Sequence, residues 1–223
     1  MLTINGSVQI HGVLFDLDGT LLDTEPLYEE AIGKAVEEFG AVYSWEVQKR
    51  IVGKGEHMGA QIIIDCLELE ISTDELLQRR DVYLLELFKT CKLRKGAEEL
   101  VNYVVKENIP FAIATSSMRK YFAIKSSSNA ELFSKFQHIV CGDDIEVNNP
   151  KPFPDIYLVA ASKIGIDISQ CLVLEDSLAG LQSGRSAGAR YVALSPDTRL
   201  NCDEFAEADL IVEEWDEFIA LLG

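Results

Sequence analysis

The chain has 223 residues, of which 48% are hydrophobic and 26% charged, the balance of a globular protein with a sizeable core rather than a disordered one. Its 37 acidic against 20 basic residues give a formal charge of -17, which argues against a nucleic-acid polymer or an anionic membrane as partner. A small anionic substrate stays open, because screening over roughly 8 Å lets a local cationic cluster outweigh distant surface charge.

The first apolar run, Val13 to Phe15, reads as a buried strand and leads into Asp16-Leu17-Asp18-Gly19-Thr20. Two acids at the end of a parallel strand point to a metal-assisted site, since ligands bind beyond the carboxyl ends of such strands and a divalent cation keeps close carboxylates ionised. Asp-x-Asp before glycine is also a common turn signal. From about Asp23 to Leu93 the pattern is helical, and four helices fit. Pro26 and Gly40 bracket the first, with Leu27, Ala31, Ala35 and Phe39 on one face, and Ser44 can cap the second. Met58, Ile62, Ile63, Cys66 and Leu67 stripe the third, and Ser72 with Glu75 forms a capping box for the fourth.

Phe111 to Ala114 is the next strand and ends in Thr115-Ser116-Ser117, hydroxyls and amides suited either to phosphate oxygens or to capping a helix. A strand over His138 to Cys141 follows. Lys151 stands among prolines in Asn149-Pro150-Lys151-Pro152-Phe153-Pro154, which stiffen its loop. A helix is expected from Pro152 to Gly165. Leu172 to Leu174 then runs into Glu175-Asp176-Ser177, a second acid pair at a strand end or the acidic start of a helix that closes at Gly188. Tyr191 to Leu194 is the last strand read. The alternation predicts an α/β fold: a Rossmann-like parallel sheet with helices on both faces, interrupted by a four-helix cap after the first strand. The core is expected over 1–22 and 94–223 and the cap over 23–93, hanging over the acids like a lid.

The ordered set of Asp16, Asp18, Thr115, Lys151, Glu175 and Asp176 resembles the haloacid dehalogenase superfamily, in its phosphatase branch with a helical cap. Around the cap, Tyr43-Ser44-Trp45-Glu46-Val47, Val52-Gly53-Lys54 and Gly142-Asp143-Asp144 are similar to the pseudouridine-5'-phosphatase and plant glycerol-3-phosphatase group. Pro150 departs from the pattern, since relatives usually have glycine before the lysine. The resemblance implies a Mg2+-dependent phosphatase acting on a small phosphorylated metabolite, either nucleotide-like or a sugar or polyol phosphate. Asp16 is implied as nucleophile and Asp18 as acid and base, with Thr115, Ser116 and Lys151 on the phosphoryl oxygens. The implied metal ligands are the Asp16 carboxylate, the Asp18 carbonyl and Asp176, with Glu175 behind them or as a further ligand.

Asp18 argues against a dehalogenase, because a halide departs without protonation. A sugar-phosphate mutase is the main competitor; mutases of this kind carry a histidine where Tyr28 stands and an arginine where Glu56 stands, and a glutamate would repel a second phosphate. A catalytically silent binding protein is the third reading. Lys54, between Gly53 and Gly55, is a candidate contact for the leaving group or a solvated lysine in a turn. The five cysteines, Cys66, Cys91, Cys141, Cys171 and Cys202, show no C-x-x-C pair, and Met1 to Gln9 lacks the features of a secretory signal. Buried free thiols, a cytoplasmic location and a monomer are expected.

Overall fold

The structure is a computed structural model and describes residues 1–51, 54–197, 199 and 202–223, apart from the side chain of Cys202. The readings of Val52 and Gly53 and of the Cys202 thiol lie outside the described residues.

A hairpin opens the chain, β1 (Leu2–Ile4) with β2 (Val8–Ile10), turning through Asn5 and Gly6 at positive φ. Next come β3 (Gly12–Phe15) and the short β4 (Leu22–Asp23). The helical stretch holds α1 (Glu25–Glu37), α2 (Trp45–Gln48), α3 (Glu56–Leu67) and α4 (Thr73–Leu87). Then follow β5 (Lys92–Leu93), α5 (Ala97–Lys106), β6 (Phe111–Thr115), α6 (Arg119–Lys125), α7 (Ala130–Phe133) and β7 (Ile139–Cys141). The chain finishes with α8 (Asp155–Ile164), β8 (Cys171–Glu175), α9 (Leu178–Ala187), β9 (Tyr191–Leu194), β10 (Leu210–Ile211) and α10 (Trp215–Ile219). Two compact units result, Met1–Asp23 with Lys92–Gly223, and Thr24–Cys91.

In the first unit the five apolar runs become five strands of a six-stranded parallel sheet, ordered β10-β9-β8-β3-β6-β7. The sixth strand, β10, was not foreseen from the sequence, nor were the antiparallel pairs β1 with β2 and β4 with β5. Both faces of the sheet are covered, as a parallel sheet requires. On one, Leu14, Ala112, Ala114, Val173 and Val192 pack with Ile156, Ala160 and Leu181 of α8 and α9. On the other, Phe15 and Phe111 meet Phe136 edge-on at centroid distances of 5.6 and 4.9 Å. From β3 the chain moves outward through β6 to β7, then returns to β8 on the other side of β3. That reversal leaves a crevice at the carboxyl ends of β3 and β8, where Phe15 pairs with Leu174 and Asp16 and Glu175 come next.

The helical unit has its own core, built from Ile32, Ala35 and Val36 of α1, Ala60, Ile63 and Ile64 of α3, and Leu76 of α4. Ser72 Oγ accepts from the Glu75 amide at 3.1 Å and so caps α4, whereas the Ser44 side chain makes no capping bond to α2. The stripe on α3 agrees with the reading at Ile63, Cys66 and Leu67, which lie in or against the core, but Met58 is 59% exposed and the other buried positions are Gly59, Ala60 and Ile64. Three consecutive isoleucines, 62 to 64, leave the phase of that helix undetermined by hydrophobicity alone. Among the described residues no helix is long and apolar enough to cross a membrane. Cys91, Cys141 and Cys171 are buried free thiols as expected, but Cys66 is only half-buried.

Candidate active site

Asp16 continues β3, its amide donating to Leu174 O at 2.9 Å. The chain then folds back on itself, with the Leu21 and Leu22 amides both donating to Leu17 O at 3.0 and 2.9 Å. Gly19 makes this turn at φ +78°, and a Cβ there would lie 1.9 Å from Asp176 Oδ2. Only glycine lets the first acidic loop press against the second.

Glu175 ends β8 fully buried and accepts from a full set of donors. Lys151 Nζ (2.6 Å) and Tyr157 OH (2.8 Å) reach Oε1, while the amides of Asp176 (3.0 Å) and Ser177 (3.1 Å) and Ser177 Oγ (3.0 Å) reach Oε2. Ser177 Oγ also accepts from the Gly180 amide at 3.0 Å, which caps α9. The carboxylate lies so close to α9 that a Cβ on Gly180 would fall 1.8 Å from it. Lys151, its side chain 6% exposed, spans both acids: Nζ is also 2.6 Å from Asp16 Oδ1 and donates to Ala114 O at 3.1 Å. With proline at 150, the loop thus seats the ammonium against both carboxylates.

Burial raises the Asp16 pKa most, and the negative charges of Glu175 and Asp18 add to it against the pull of Lys151, so that the group is pushed up to about 8. Glu175 goes the other way. Burial opposes its charge, but the Lys151 ammonium and the hydrogen bonds from Lys151, Tyr157 and Ser177 hold it below the usual carboxylate range. For Lys151, burial is outweighed by Asp16 and Glu175, and its pKa rises. Acceptor oxygens of Asp16, Glu175 and Asp176 lie within 4.8 Å of one another. Hard oxygen donors crowded together, with the Asp16 pKa raised by burial and by its acidic neighbours, fit a small divalent cation such as Mg2+. A second cluster of Cys141, Asp143 and Asp144 fits less well. Burial pushes the Cys141 thiol up to about 11, and the Asp144 carboxylate is taken by Arg119 at 2.6 Å.

The structure therefore brings Asp16, Lys151, Glu175 and Asp176 together at the ends of β3 and β8. Asp18 is held by a different set of donors: its Oδ2 accepts from Ser117 Oγ at 2.7 Å and its Oδ1 from Lys125 Nζ at 2.5 Å. Thr115 is fully buried at the end of β6, with Oγ1 accepting from the Ser117 amide at 3.0 Å, and Ser116 is exposed beside it. Lys54 is exposed in the helical unit, two residues ahead of α3. Lys125 and Tyr157 were missed from the sequence, and the Ser117 hydroxyl, read there as a phosphate donor or helix cap, is a partner of Asp18. Lys125 lies in the last turn of α6, and its spacing of three from buried Phe122 was a usable signal.

Residues 10–188 match the haloacid dehalogenase-like hydrolase family. The chain belongs to that family. It is 36% identical over 208 residues to a Drosophila melanogaster protein named "Probable pseudouridine-5'-phosphatase", covering 92% of this chain and 90% of the relative. It is 33% identical over 223 residues to (DL)-glycerol-3-phosphatase 2 of Arabidopsis thaliana, covering 94% and 92%. Among solved structures, a family IA, variant 3 hydrolase of the same superfamily from Entamoeba histolytica superposes with a TM-score of 0.75 at 28% identity, covering 93% of this chain and 95% of that one.

Proposed function

We propose that the chain is a Mg2+-dependent phosphoric monoester hydrolase that works through an aspartyl-phosphate on Asp16. The observation that carries this reading is the convergence of Asp16, Lys151, Glu175 and Asp176 at the switch point of the sheet. Bound to the carboxylates of Asp16 and Asp176 and the carbonyl of Asp18, with Glu175 beside them, the cation would supply charge neutralisation for the phosphoryl group.

The residues do the rest. An Asp16 carboxylate oxygen attacks phosphorus in line, and the bond to the departing alkoxide breaks as the alkoxide takes a proton from Asp18. Asp18, now ionised, accepts a proton from a water that attacks the same phosphorus, which releases inorganic phosphate and restores Asp16. Lys151 faces the oxygens that gain charge in both steps, with Thr115 and amides near Ser116 as further donors. The substrate is a small monoester of the nucleotide, sugar or polyol class, and the relatives' names support that range. Selection among leaving groups is assigned to the helical unit, with Lys54 as the first residue to test: Lys54→Ala is expected to alter KM or substrate preference, and neither changing would remove it.

Glu56, the glutamate expected to repel a second phosphate, is paired with Arg80 at 3.0 Å. That pairing weakens the charge argument against a phosphomutase, so the assay must separate the two. Phosphate release from a panel of monoesters, ranked by kcat/KM with and without Mg2+, is expected to show metal-dependent hydrolysis. Isomerisation of a sugar phosphate outpacing phosphate release would favour the mutase, and no metal-dependent release from any ester would favour a binding protein. A cytoplasmic location, supported by buried free thiols in the core unit, and a monomeric state are the accompanying proposals.

A further inference from the structure

Lys125 is a charged residue with no solvent exposure, 107 positions away from its partner in the chain. Burying an ammonium is costly unless the fold pairs it. Here it is paired at two points. Nζ lies 2.5 Å from Asp18 Oδ1 and donates to Ser117 Oγ at 2.9 Å, while Ser117 Oγ donates to Asp18 Oδ2 at 2.7 Å. The three side chains close a ring in which both oxygens of the Asp18 carboxylate are held. Phe122, buried on the same side of α6 and in edge contact with Phe133, anchors the helix that delivers the lysine. The Asp18 side chain still keeps 23% of its surface exposed, so one side of the carboxyl remains reachable.

The core acids are thus divided between two buried lysines, Lys151 on Asp16 and Lys125 on Asp18. The first has a place in the chemistry above. We infer that Lys125 is a positioning residue for proton transfer: with Ser117 it fixes the Asp18 carboxyl where the leaving-group oxygen must meet it. The inference rests on the reading of Asp18 as acid and base. A purely structural lysine would affect all substrates alike, whereas a lysine that positions the acid matters only where the leaving group needs a proton.

The test compares kcat/KM for 2,4-dinitrophenyl phosphate, whose leaving group departs unprotonated, with that for the best alkyl phosphate of the monoester panel. This ratio reports the first phosphoryl transfer and is insensitive to slow turnover of the aspartyl-phosphate. General acid catalysis supplies about 10²–10⁴-fold, so Lys125→Met is expected to cost the alkyl ester at least ~10-fold more than the aryl ester. Ser117→Ala is expected to move the ratio in the same direction by a few fold, and it carries the test alone if Lys125→Met does not fold. Asp18→Asn sets the reference. If Asp18→Asn penalises the alkyl ester selectively while the folded Lys125 or Ser117 variant lowers both esters equally or neither, the role of Lys125 is overturned. If Asp18→Asn itself lowers both esters equally, the acid assignment fails, and the inference with it.

Discussion

Replacing Tyr157 by Phe isolates one of the hydrogen bonds that hold Glu175. The hydroxyl donates to Glu175 Oε1 at 2.8 Å, and both residues have no exposed surface. The substitution keeps the ring, hence the packing of α8 and the position of Lys151 Nζ 4.9 Å from the ring centroid. No cavity forms. What is lost is a single bond to a charged acceptor, worth about 1.5–3 kcal/mol. Lys151 still serves the same oxygen at 2.6 Å and the three donors to Oε2 are untouched, so the carboxylate stays ionised and the cost should lie near the lower end, about 1.5 kcal/mol. With a urea slope of about 3 kcal/mol/M, the midpoint should fall by about 0.5 M. Trp215 is fully buried in the core unit and Trp45 lies in the helical unit, so fluorescence in a Trp45→Phe background follows the core. A midpoint within ~0.1 M of the parent would mean that the hydroxyl is not stabilising the charge, and the account of Glu175 as a fully hydrogen-bonded anion would be wrong.

Gly19→Ala places a Cβ 1.9 Å from Asp176 Oδ2 at a positive φ, so about 1–3 kcal/mol of stability should be lost together with Mg2+ affinity; thermal melts with and without Mg2+ check both, and unaltered Mg2+ affinity would contradict the packing of the two acidic loops. Because Asp16 rises from 3.8 to about 8 in the metal-free fold, the folded state holds a proton there that the unfolded chain releases. This group therefore lowers the stability of the metal-free protein as pH rises through that window, because burial outweighs its ion pair with Lys151. Mg2+ must displace the same proton, so calorimetry at pH 7 in buffers of different ionisation enthalpy should show proton release and affinity should climb toward pH 8. Binding with no proton released would mean that Asp16 is already ionised beside Lys151 in the metal-free fold. Stripping the metal with a chelator should abolish turnover, and Mg2+ should restore it.

Much of the core could be read from apolar runs because buried parallel strands are continuous stretches such as Val13 to Phe15 and Leu172 to Leu174, and chemistry collects at their ends. β10, by contrast, is two residues long and pairs only with the edge of β9, so its place depends on a neighbour that the local sequence does not reveal. The hairpin of β1 and β2 turns through Asn5 and Gly6, and its strands of three residues are too short to show alternation. In the site, Asp16, Lys151, Glu175 and Asp176 could be found from their order at strand ends and in a proline-stiffened loop, although a turn or a helix start explains the acids singly. Tyr157 could not, since a tyrosine on the buried stripe of α8 reads as packing until Glu175 is placed beside its hydroxyl. Lys125 was hidden for a related reason: lysine at the last turn of a helix is already explained by the helix dipole, and only the fold brings Asp18 to it.

The central claim is that the carboxylate of Asp16 carries the phosphoryl group. Rapid quench of the enzyme during turnover of its best monoester, followed by borohydride reduction and peptide mass spectrometry, converts an aspartyl-phosphate to homoserine and identifies the position. Homoserine at position 16, absent in Asp16→Asn and without substrate, is the predicted result. Full phosphate release with no homoserine at 16, or homoserine at another aspartate, would contradict it.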